Sequence, residues 1–331
     1  MDALTQLLPA ELREALRRRE LRLARPVLGP RQGQHRSTAA GVGRDFRDHR
    51  PYVPGDDLRH LDWRAAARSD RLVVRRTESE DAIAVALMLD ASAGMDYGEG
   101  DAHKFRHLAV IATALAELGR RQGDAVAFEV LGGDQAVAAS GVDGLRPSAS
   151  IERISALARA ALDTKPRGRA DWNGALERVG VALRRRSVVV VGSDFLDVAP
   201  DDNHDPDAAQ EELFDRLSLL RARGHVVLML QVLHRDELSF PWSDGRVIRF
   251  EDPSDELEPL EAPGRDLRDA YLERIANHLD ALERGCERLG VHYLRVATDM
   301  PATASVSALL AKVAGAPSAL PAHVRAPEVG A

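Results

Sequence analysis

The stretch IAVALMLDASAGM, residues 83–95, decides the fold of this chain. Its first part, Ile83–Leu89, is an unbroken apolar run without the alternation of a half-exposed strand. Such a run is typical of a strand that is buried on both faces, as in a parallel sheet. A carboxylate and a hydroxyl follow at Asp90 and Ser92. Because open α/β sheets bind ligands at the carboxyl ends of their strands, this loop is the first candidate site.

The same alternation of strands and helices continues along the chain. Further strands are predicted over Arg71–Thr77, Ala125–Leu131, Ser187–Val191, Val226–Leu233, Gly245–Phe250 and His292–Val296. Helices are predicted over His103–Arg121, Ser150–Leu162, Ala175–Arg185, Gln210–Arg223, Leu267–Leu289 and Ser305–Val313. Gly132-Gly133-Asp134 is typical of a hairpin turn, and it predicts an antiparallel edge strand over Gln135–Ala139. The pattern predicts an α/β fold, a mostly parallel sheet with helices on both faces.

Composition divides the chain into three segments. Residues 1–80 are expected to hold a helix over residues 6–25, with Pro9 in its first turn, and then a small irregular subdomain rich in Arg and Asp. Residues 81–314 are expected to form the α/β domain. The Pro- and Ala-rich residues 315–331 are expected to be a disordered tail.

Bulk composition narrows the classes of function. The single cysteine, Cys286, excludes an intrachain disulfide and a cysteine zinc site. We find no apolar span of bilayer length and no signal peptide, so we expect a cytoplasmic protein without membrane insertion. The net charge of the chain is −7, but its N-terminal part is basic, because residues 1–80 carry 17 Arg and 12 Asp or Glu. Nucleic-acid binding through Arg17, Arg18 and Arg19 is an alternative, but interspersed acidic residues argue against it and none is expected.

Three polar loops are predicted to meet at one edge of the sheet. They are Asp90–Gly94, Gly168–Gly174 and Gly192–Asp197. Oxygen ligands from Asp90, Ser92 and Asp194 would suit a hard cation such as Mg²⁺. The same residue types also cap helix N-termini, and the pattern alone does not separate the two roles.

The order of these motifs resembles the von Willebrand A fold, a Rossmann-like α/β fold. Its metal-ion-dependent adhesion site uses an Asp-x-Ser-x-Ser loop, a Thr in a second loop and an Asp in a third. The resemblance implies that Asp90, Ser92 and Asp194 are the matching ligands. Gly94 and Ala170 stand where the second Ser and the Thr are expected, so two side-chain oxygens are missing. We therefore expect a degenerate site with weak Mg²⁺ binding or none, and no other cofactor.

A second resemblance lies in residues 50–68, RPYVPGDDLRHLDWRAAAR. The stretch is similar to the hallmark R-x-Y-x-x-G-D-x-x-R-x-I-D-W of the bacterial domain-of-unknown-function family 58. The matching residues are Arg50, Tyr52, Gly55, Asp56, Arg59, Asp62 and Trp63, with Leu61 in place of Ile. The resemblance continues through Glu80, Asp90, Asp194 and Leu230–Glu237, and so covers residues 30–310.

The hallmark also has a physical interpretation. Arginines alternate with aspartates, and bidentate Arg–carboxylate pairs are geometrically specific. Tyr52 and Trp63 add apolar area with a polar handle. We favour a structural clasp that holds the N-terminal subdomain against the sheet. A docking surface for a partner is the alternative.

The family resemblance implies a function. Its members are associated with MoxR-type AAA ATPases, which are thought to mature other proteins. We therefore expect a non-enzymatic interaction or adaptor protein that works with a MoxR-type AAA ATPase on an unknown client protein. The alternative is a divalent-metal-dependent hydrolase that uses Asp90 and Asp194, although the sequence offers no convincing general base for it.

Overall fold

A computed structural model of the chain describes residues 2–21, 45–52, 62, 72–78, 83–133, 144–183, 187–197, 208–242, 245–253, 258–316 and 324. The chain divides into two compact units. One comprises Met1–Ala24 and Ile83–Ala331, and the other is Arg25–Ala82. The N-terminal helices therefore belong to the larger unit, whereas the sequence analysis grouped them with the signature segment.

The smaller unit contains an antiparallel pair of strands, β1 (Asp45–Pro51) and β2 (Val73–Glu78). The pairing shifts register between Phe46 and Asp48. The second strand was predicted from the Arg71–Thr77 pattern, and the first was not.

The larger unit is built on a five-stranded parallel sheet in the order β4-β3-β5-β6-β9. These strands are β3 (Ala84–Ala91), β4 (Ala125–Gly132), β5 (Val188–Ser193), β6 (Val226–Leu233) and β9 (His292–Ala297). A separate antiparallel pair consists of β7 (Val247–Phe250) and β8 (Leu260–Pro263). The predicted parallel α/β fold is confirmed, because each apolar run forms a strand of the sheet.

Helices cover both faces of this sheet. They are α1 (Ala3–Leu7), α2 (Ala10–Leu16), α3 (Lys104–Gln122), α4 (Ile151–Asp163), α5 (Trp172–Ala182), α6 (Ala208–Ala222), α7 (Arg235–Ser239), α8 (Gly264–Leu289) and α9 (Ala302–Val313). The predicted C-terminal stop of α8 is confirmed, since Gly290 follows it with a φ of 65°. The short helix α7 was not predicted.

The two faces of the sheet bury separate apolar clusters. On β3, Leu87 packs into one cluster with α3, α4 and α9, while Met88 packs into the other with α5 and α6. Helix α8 contributes to both, through Leu279 on one side and Leu282 on the other. This two-sided burial explains why the strands are apolar without alternation.

The predicted single helix over residues 6–25 is wrong in its described part. Pro9 lies between α1 and α2. Its ψ of 148° is extended rather than helical, so Pro9 precedes the first turn of α2 instead of belonging to it. Leu12 and Leu16 on α2 are both buried in the core of the larger unit. Arg121 on α3 donates to the carbonyl of Leu16 at 3.1 Å, which ties these helices to the α/β unit.

Two other expectations fall largely outside the described residues. The predicted edge strand Gln135–Ala139 lies there, as does most of the predicted tail. Val324 is described and buried, and its carbonyl accepts a hydrogen bond from Arg295 at 3.2 Å. In the described part of the chain, none of the helices combines the length and the apolar character that a membrane crossing requires.

Candidate functional site

The three polar loops meet at the carboxyl edge of the sheet, as predicted. The backbone N–H of Ala93 donates to the carbonyl of Gly168 at 2.9 Å, which joins the first loop to the second. The hydroxyl of Ser193 donates to Asp90 at 2.5 Å, which joins the third loop to the first. The parallel register places these strand ends side by side.

Asp90 lies near the end of β3 and is fully buried. Its Oδ1 accepts the backbone N–H of Ser92 at 2.6 Å, and its Oδ2 accepts the Ser193 hydroxyl at 2.5 Å. Burial raises the pKa of Asp90 to about 7, and the nearby charges of Asp194 and Asp197 add to the rise. The carboxyl group of Asp90 is therefore harder to ionise than that of an exposed aspartate.

Ser92 does not cap a helix. It precedes a short 3₁₀ turn, Ala93–Met95, and its side chain makes no capping hydrogen bond. The following helix, α3, starts only at Lys104, where the ring of His103 accepts the N–H of Arg106 at 3.4 Å. The helix-capping interpretation of the Asp90 loop is therefore wrong, because the loop runs through two 3₁₀ turns before the helix begins.

Asp194 follows β5 in a tightly held turn. Its Oδ1 accepts the N–H of Leu196 at 3.0 Å, and its backbone carbonyl accepts the Gln231 side-chain amide at 2.7 Å. The next residue, Phe195, is fully buried with a φ of 54°, a region that non-glycine residues seldom adopt. His278 donates to the Phe195 carbonyl at 2.8 Å and helps to hold this conformation. Such strain occurs mainly where surrounding structure fixes the backbone for a function.

A buried lysine holds the second carboxylate oxygen of Asp194. The Nζ of Lys104 lies 2.5 Å from Asp194 Oδ2 and 2.6 Å from Glu237 Oε1, while its side chain is 1% exposed. Glu237 belongs to α7 and uses its other oxygen to accept the N–H of His234 at 2.7 Å. We call Lys104, Asp194 and Glu237 the buried triad.

Charge explains why the buried triad holds together. Burial alone would lower the pKa of Lys104, but Asp194 and Glu237 together raise it above its ordinary value. Burial raises the pKa of Glu237, and the ammonium opposes that rise. Removing one partner from a buried ion pair leaves an uncompensated charge, which costs about 3–5 kcal/mol.

The positions that lack ligand oxygens lie where the resemblance places them. A Cβ added to Gly94 would be 3.1 Å from Asp194 Oδ2, so the second serine of an adhesion site would face this same oxygen. Ala170 lies in the second loop, partly buried against the core. The nearby aspartates have other partners, since Asp96 bonds His103 at 3.0 Å and Asp171 caps α5.

The residues at this edge do not fit a divalent cation. The Lys104 ammonium donates a hydrogen bond to Asp194 Oδ2, an oxygen that would otherwise be available to a metal ion. Unit charges about 4 Å apart interact by about 4 kcal/mol at an effective dielectric near 20, and a divalent ion doubles the repulsion. Across the described ranges, no three His, Cys, Asp or Glu side chains come together as a ligand set.

The hallmark residues lie mostly outside the described residues, namely Gly55, Asp56, Arg59 and Trp63. Arg50 belongs to β1, opposite Val74. The backbone N–H of Tyr52 donates to the carbonyl of Leu72 at 2.9 Å. Tyr52 and Asp62 are both half-buried. The choice between clasp and docking surface stays a prediction.

Lys104 is the site residue that sequence reasoning missed, and two signals could have found it. It is one of three lysines in a chain with 42 arginines, and its ammonium is more compact than a guanidinium. It also opens a helix, where the macrodipole disfavours positive charge. Glu237 was part of the stretch that matched the family, although its role was not recognised.

The parallel sheet, its helix layers and the loops at its carboxyl edge define a Rossmann-like α/β protein of the von Willebrand A type. The chain belongs to the family described as "Protein of unknown function DUF58", whose pattern matches residues 48–281. This match spans the signature segment, the Asp90 loop and the buried triad.

Relatives in mycobacteria extend over most of the chain. An uncharacterized protein of Mycobacterium bovis is 28% identical over 301 residues, which cover 87% of this chain and 86% of the relative. Uncharacterized proteins from two strains of Mycobacterium tuberculosis match to the same extent. The similarity therefore covers most of the α/β unit as well as the signature segment.

Proposed function

We propose that this protein is a non-enzymatic adaptor that binds a MoxR-type AAA ATPase and a client protein through the carboxyl edge of its sheet. The observation that carries the proposal is the buried triad. It places charged groups at the edge where α/β sheets bind ligands, and it pairs them with one another.

Burial argues against catalysis by the two aspartates. Asp90 is 0% exposed and Asp194 is 2% exposed, so neither carboxylate reaches solvent where a substrate would lie. A general base must come within hydrogen-bond reach of the proton that it removes. Both carboxylates instead accept hydrogen bonds from the protein itself.

A rigid edge suits recognition of another protein. The loops are fixed by backbone hydrogen bonds, by the Asp90–Ser193 contact and by the buried triad. Pre-organised surfaces bind with less loss of conformational entropy. The identity of the partner as a MoxR-type ATPase rests on the family resemblance alone.

Co-purification tests the proposal. The full chain is expected to retain the MoxR-type ATPase of the same organism, in at least one nucleotide state. Arg169→Glu, an exposed charge reversal in the second loop, is expected to weaken the complex. The matched control is Arg223→Glu, since Arg223 is exposed just before the amino end of β6, at the opposite edge.

Three outcomes would contradict the proposal. The first is the absence of any complex both with and without nucleotide. The second is equal loss of binding in both charge reversals, because the carboxyl edge would then have no special part in the contact. The third is Mn²⁺-dependent hydrolysis of a phosphoester or peptide by the purified chain that Asp90→Asn abolishes, which would support the hydrolase alternative.

A further inference from the structure

Lys104 contacts the residue that the resemblance assigns to the third loop of a metal-dependent adhesion site, Asp194. Gly94, at the position of the second serine of the first loop, faces Asp194 Oδ2. The same oxygen accepts a hydrogen bond from Lys104 Nζ at 2.5 Å. The ammonium therefore contacts the oxygen of the third loop that faces the first loop. In an adhesion site, a metal ion would join these two loops.

The path of the loop makes this placement possible. Two 3₁₀ turns, Ala93–Met95 and Gly100–Ala102, bring the chain back so that α3 starts beside the site. The backbone N–H of Lys104 donates to the carbonyl of Tyr97 at 2.9 Å, which fixes the start of the helix. The lysine side chain is then 1% exposed and fills the space between the first loop and α7.

The charges around the ammonium correspond to those that a cation would meet. Two carboxylates, Asp194 and Glu237, contact it directly, and Asp90 is close enough to interact with Asp194 electrostatically. Buried carboxylates need a positive partner. An ammonium supplies one charge and three donors, so it can satisfy both carboxylates without any other ligand.

We propose that the Lys104 ammonium is a built-in replacement for the divalent cation of an adhesion site, so that this edge keeps its shape without metal. On this proposal the positive charge of Lys104 is what prevents a metal ion from binding at the edge. The lack of side-chain oxygens at Gly94 and Ala170 is not the cause. The proposal goes beyond the adaptor function, because it concerns the isolated chain and holds whatever partner is bound.

Two variants separate the effect of the ammonium on metal binding from the effect of the missing oxygens. Lys104→Met removes the charge, keeps a side chain of similar length and restores no oxygen. The double variant Gly94→Ser/Ala170→Thr restores both oxygens and keeps the ammonium. Gly94 has no positive φ, and a Cβ added there would lie 3.1 Å from Asp194 Oδ2, so serine requires that carboxylate to shift by a few tenths of an ångström.

Mn²⁺ binding is measured on purified full-length proteins by the loss of the free-ion electron paramagnetic resonance signal, with circular dichroism as the check on folding. The wild type and the double variant are expected to show no saturable binding at millimolar Mn²⁺. Lys104→Met is expected to bind Mn²⁺ about a hundredfold or more tightly than the wild type, because the repulsion is removed. Adding Asp194→Asn to Lys104→Met is expected to abolish that gain.

Each result decides the question. Saturable Mn²⁺ binding by the wild type or by the double variant would overturn the proposal, and so would a folded Lys104→Met that binds no better than the wild type. If Lys104→Met is unfolded alone, folding on addition of Mn²⁺ supports the proposal. If it stays unfolded, the double variant decides by itself. Because no ATPase is present, a failure here is distinct from a failure of the adaptor function.

Discussion

Asp90 and Asp194 lie at the carboxyl ends of neighbouring parallel strands, yet they meet different partners. Asp90 is held by neutral donors, the Ser193 hydroxyl and the Ser92 N–H. Asp194 is held by a full positive charge on Lys104. Two buried carboxylates at one sheet edge thus have different partners, a neutral hydroxyl and amide for one and an ammonium for the other.

The largest expected effect comes from removing the ammonium that distinguishes the partners of Asp194 from those of Asp90. Lys104→Met leaves Asp194 and Glu237 buried without a counter-charge, and we expect a loss of about 3–5 kcal/mol in the free energy of unfolding in metal-free buffer. Urea denaturation measures it. Lys165→Met is the control, because Lys165 is exposed and its loss should change stability by no more than about 0.5 kcal/mol. Equal effects in the two variants would refute the special role of the buried triad.

Replacing Asp90 tests whether this carboxyl group, which is held by neutral donors, makes the stability of the protein depend on pH. The folded-state pKa of Asp90, about 7, lies above its ordinary value of 3.8. The stability that this group contributes is therefore full below pH 3.8 and is lost as the pH rises through about 7. A shift of this size corresponds to a loss of up to about 4 kcal/mol, since one pKa unit is worth about 1.4 kcal/mol.

Asp90→Asn is expected to remove this loss. The variant should be more stable than the wild type at pH 8, and the difference should shrink toward pH 4. Urea denaturation at pH 4, 6 and 8 on both proteins measures it, and other titrating groups cancel in the difference. A constant difference across the range would show that Asp90 stays ionised in the folded protein.

A smaller effect is expected from Ser193→Ala. The change removes the donor to Asp90 and the acceptor for the N–H of Phe195, which lie 2.5 and 2.8 Å away. Leaving buried polar groups unpaired costs about 1–3 kcal/mol. The Ser193 hydrogen bond also lowers the pKa of Asp90, so its loss should move the pH transition upward.

Ser218→Ala is the matched control for the Ser193 variant. The Ser218 hydroxyl donates to a carbonyl on the surface of α6, so its removal should change stability by no more than about 0.5 kcal/mol. If both serine variants behave alike, the Asp90–Ser193 contact does not stabilise the edge.

The smallest effect is expected at an exposed ion pair. Arg284 and Asp280 pair one turn apart on α8, and their side chains are 67% and 58% exposed. Such pairs contribute about 0.3–0.5 kcal/mol and are screened by salt. Arg284→Ala measured beside Lys104→Met therefore compares exposed and buried ion pairs, and a loss above about 1 kcal/mol would be unexpected for this exposed pair.

Much of the fold could be predicted because its signals are local. The run Val226–Leu233 forms β6 over those same residues, and Gly290 ends α8 where a left-handed residue is needed. The predicted helix Ala175–Arg185 starts at Trp172 instead, because the cap comes from Asp171 rather than from a residue at the start of the apolar pattern. The N-terminal helix was mispredicted because Pro9 interrupts it.

The candidate site could be predicted only in outline. Asp90 and Asp194 meet because the strands that carry them are neighbours in the sheet, which the carboxyl-edge rule anticipates. The pairing of Asp90 with Ser193 depends on the register of β3 against β5, and no short-range pattern encodes that register. The strained conformation of Phe195 is likewise imposed by contacts from distant elements, such as His278 on α8.

By itself the sequence determined the parallel sheet, the edge at which its polar loops meet and the absence of two ligand oxygens at Gly94 and Ala170. Those features follow from residue types and local periodicity. The tertiary structure alone decided what balances the charge there, since Lys104 is 90 residues from Asp194 and 133 from Glu237. Lys104 and Asp194 are buried and the Glu237 side chain is only 15% exposed, so their charges need one another. Burial is a property of the packed chain rather than of any one segment.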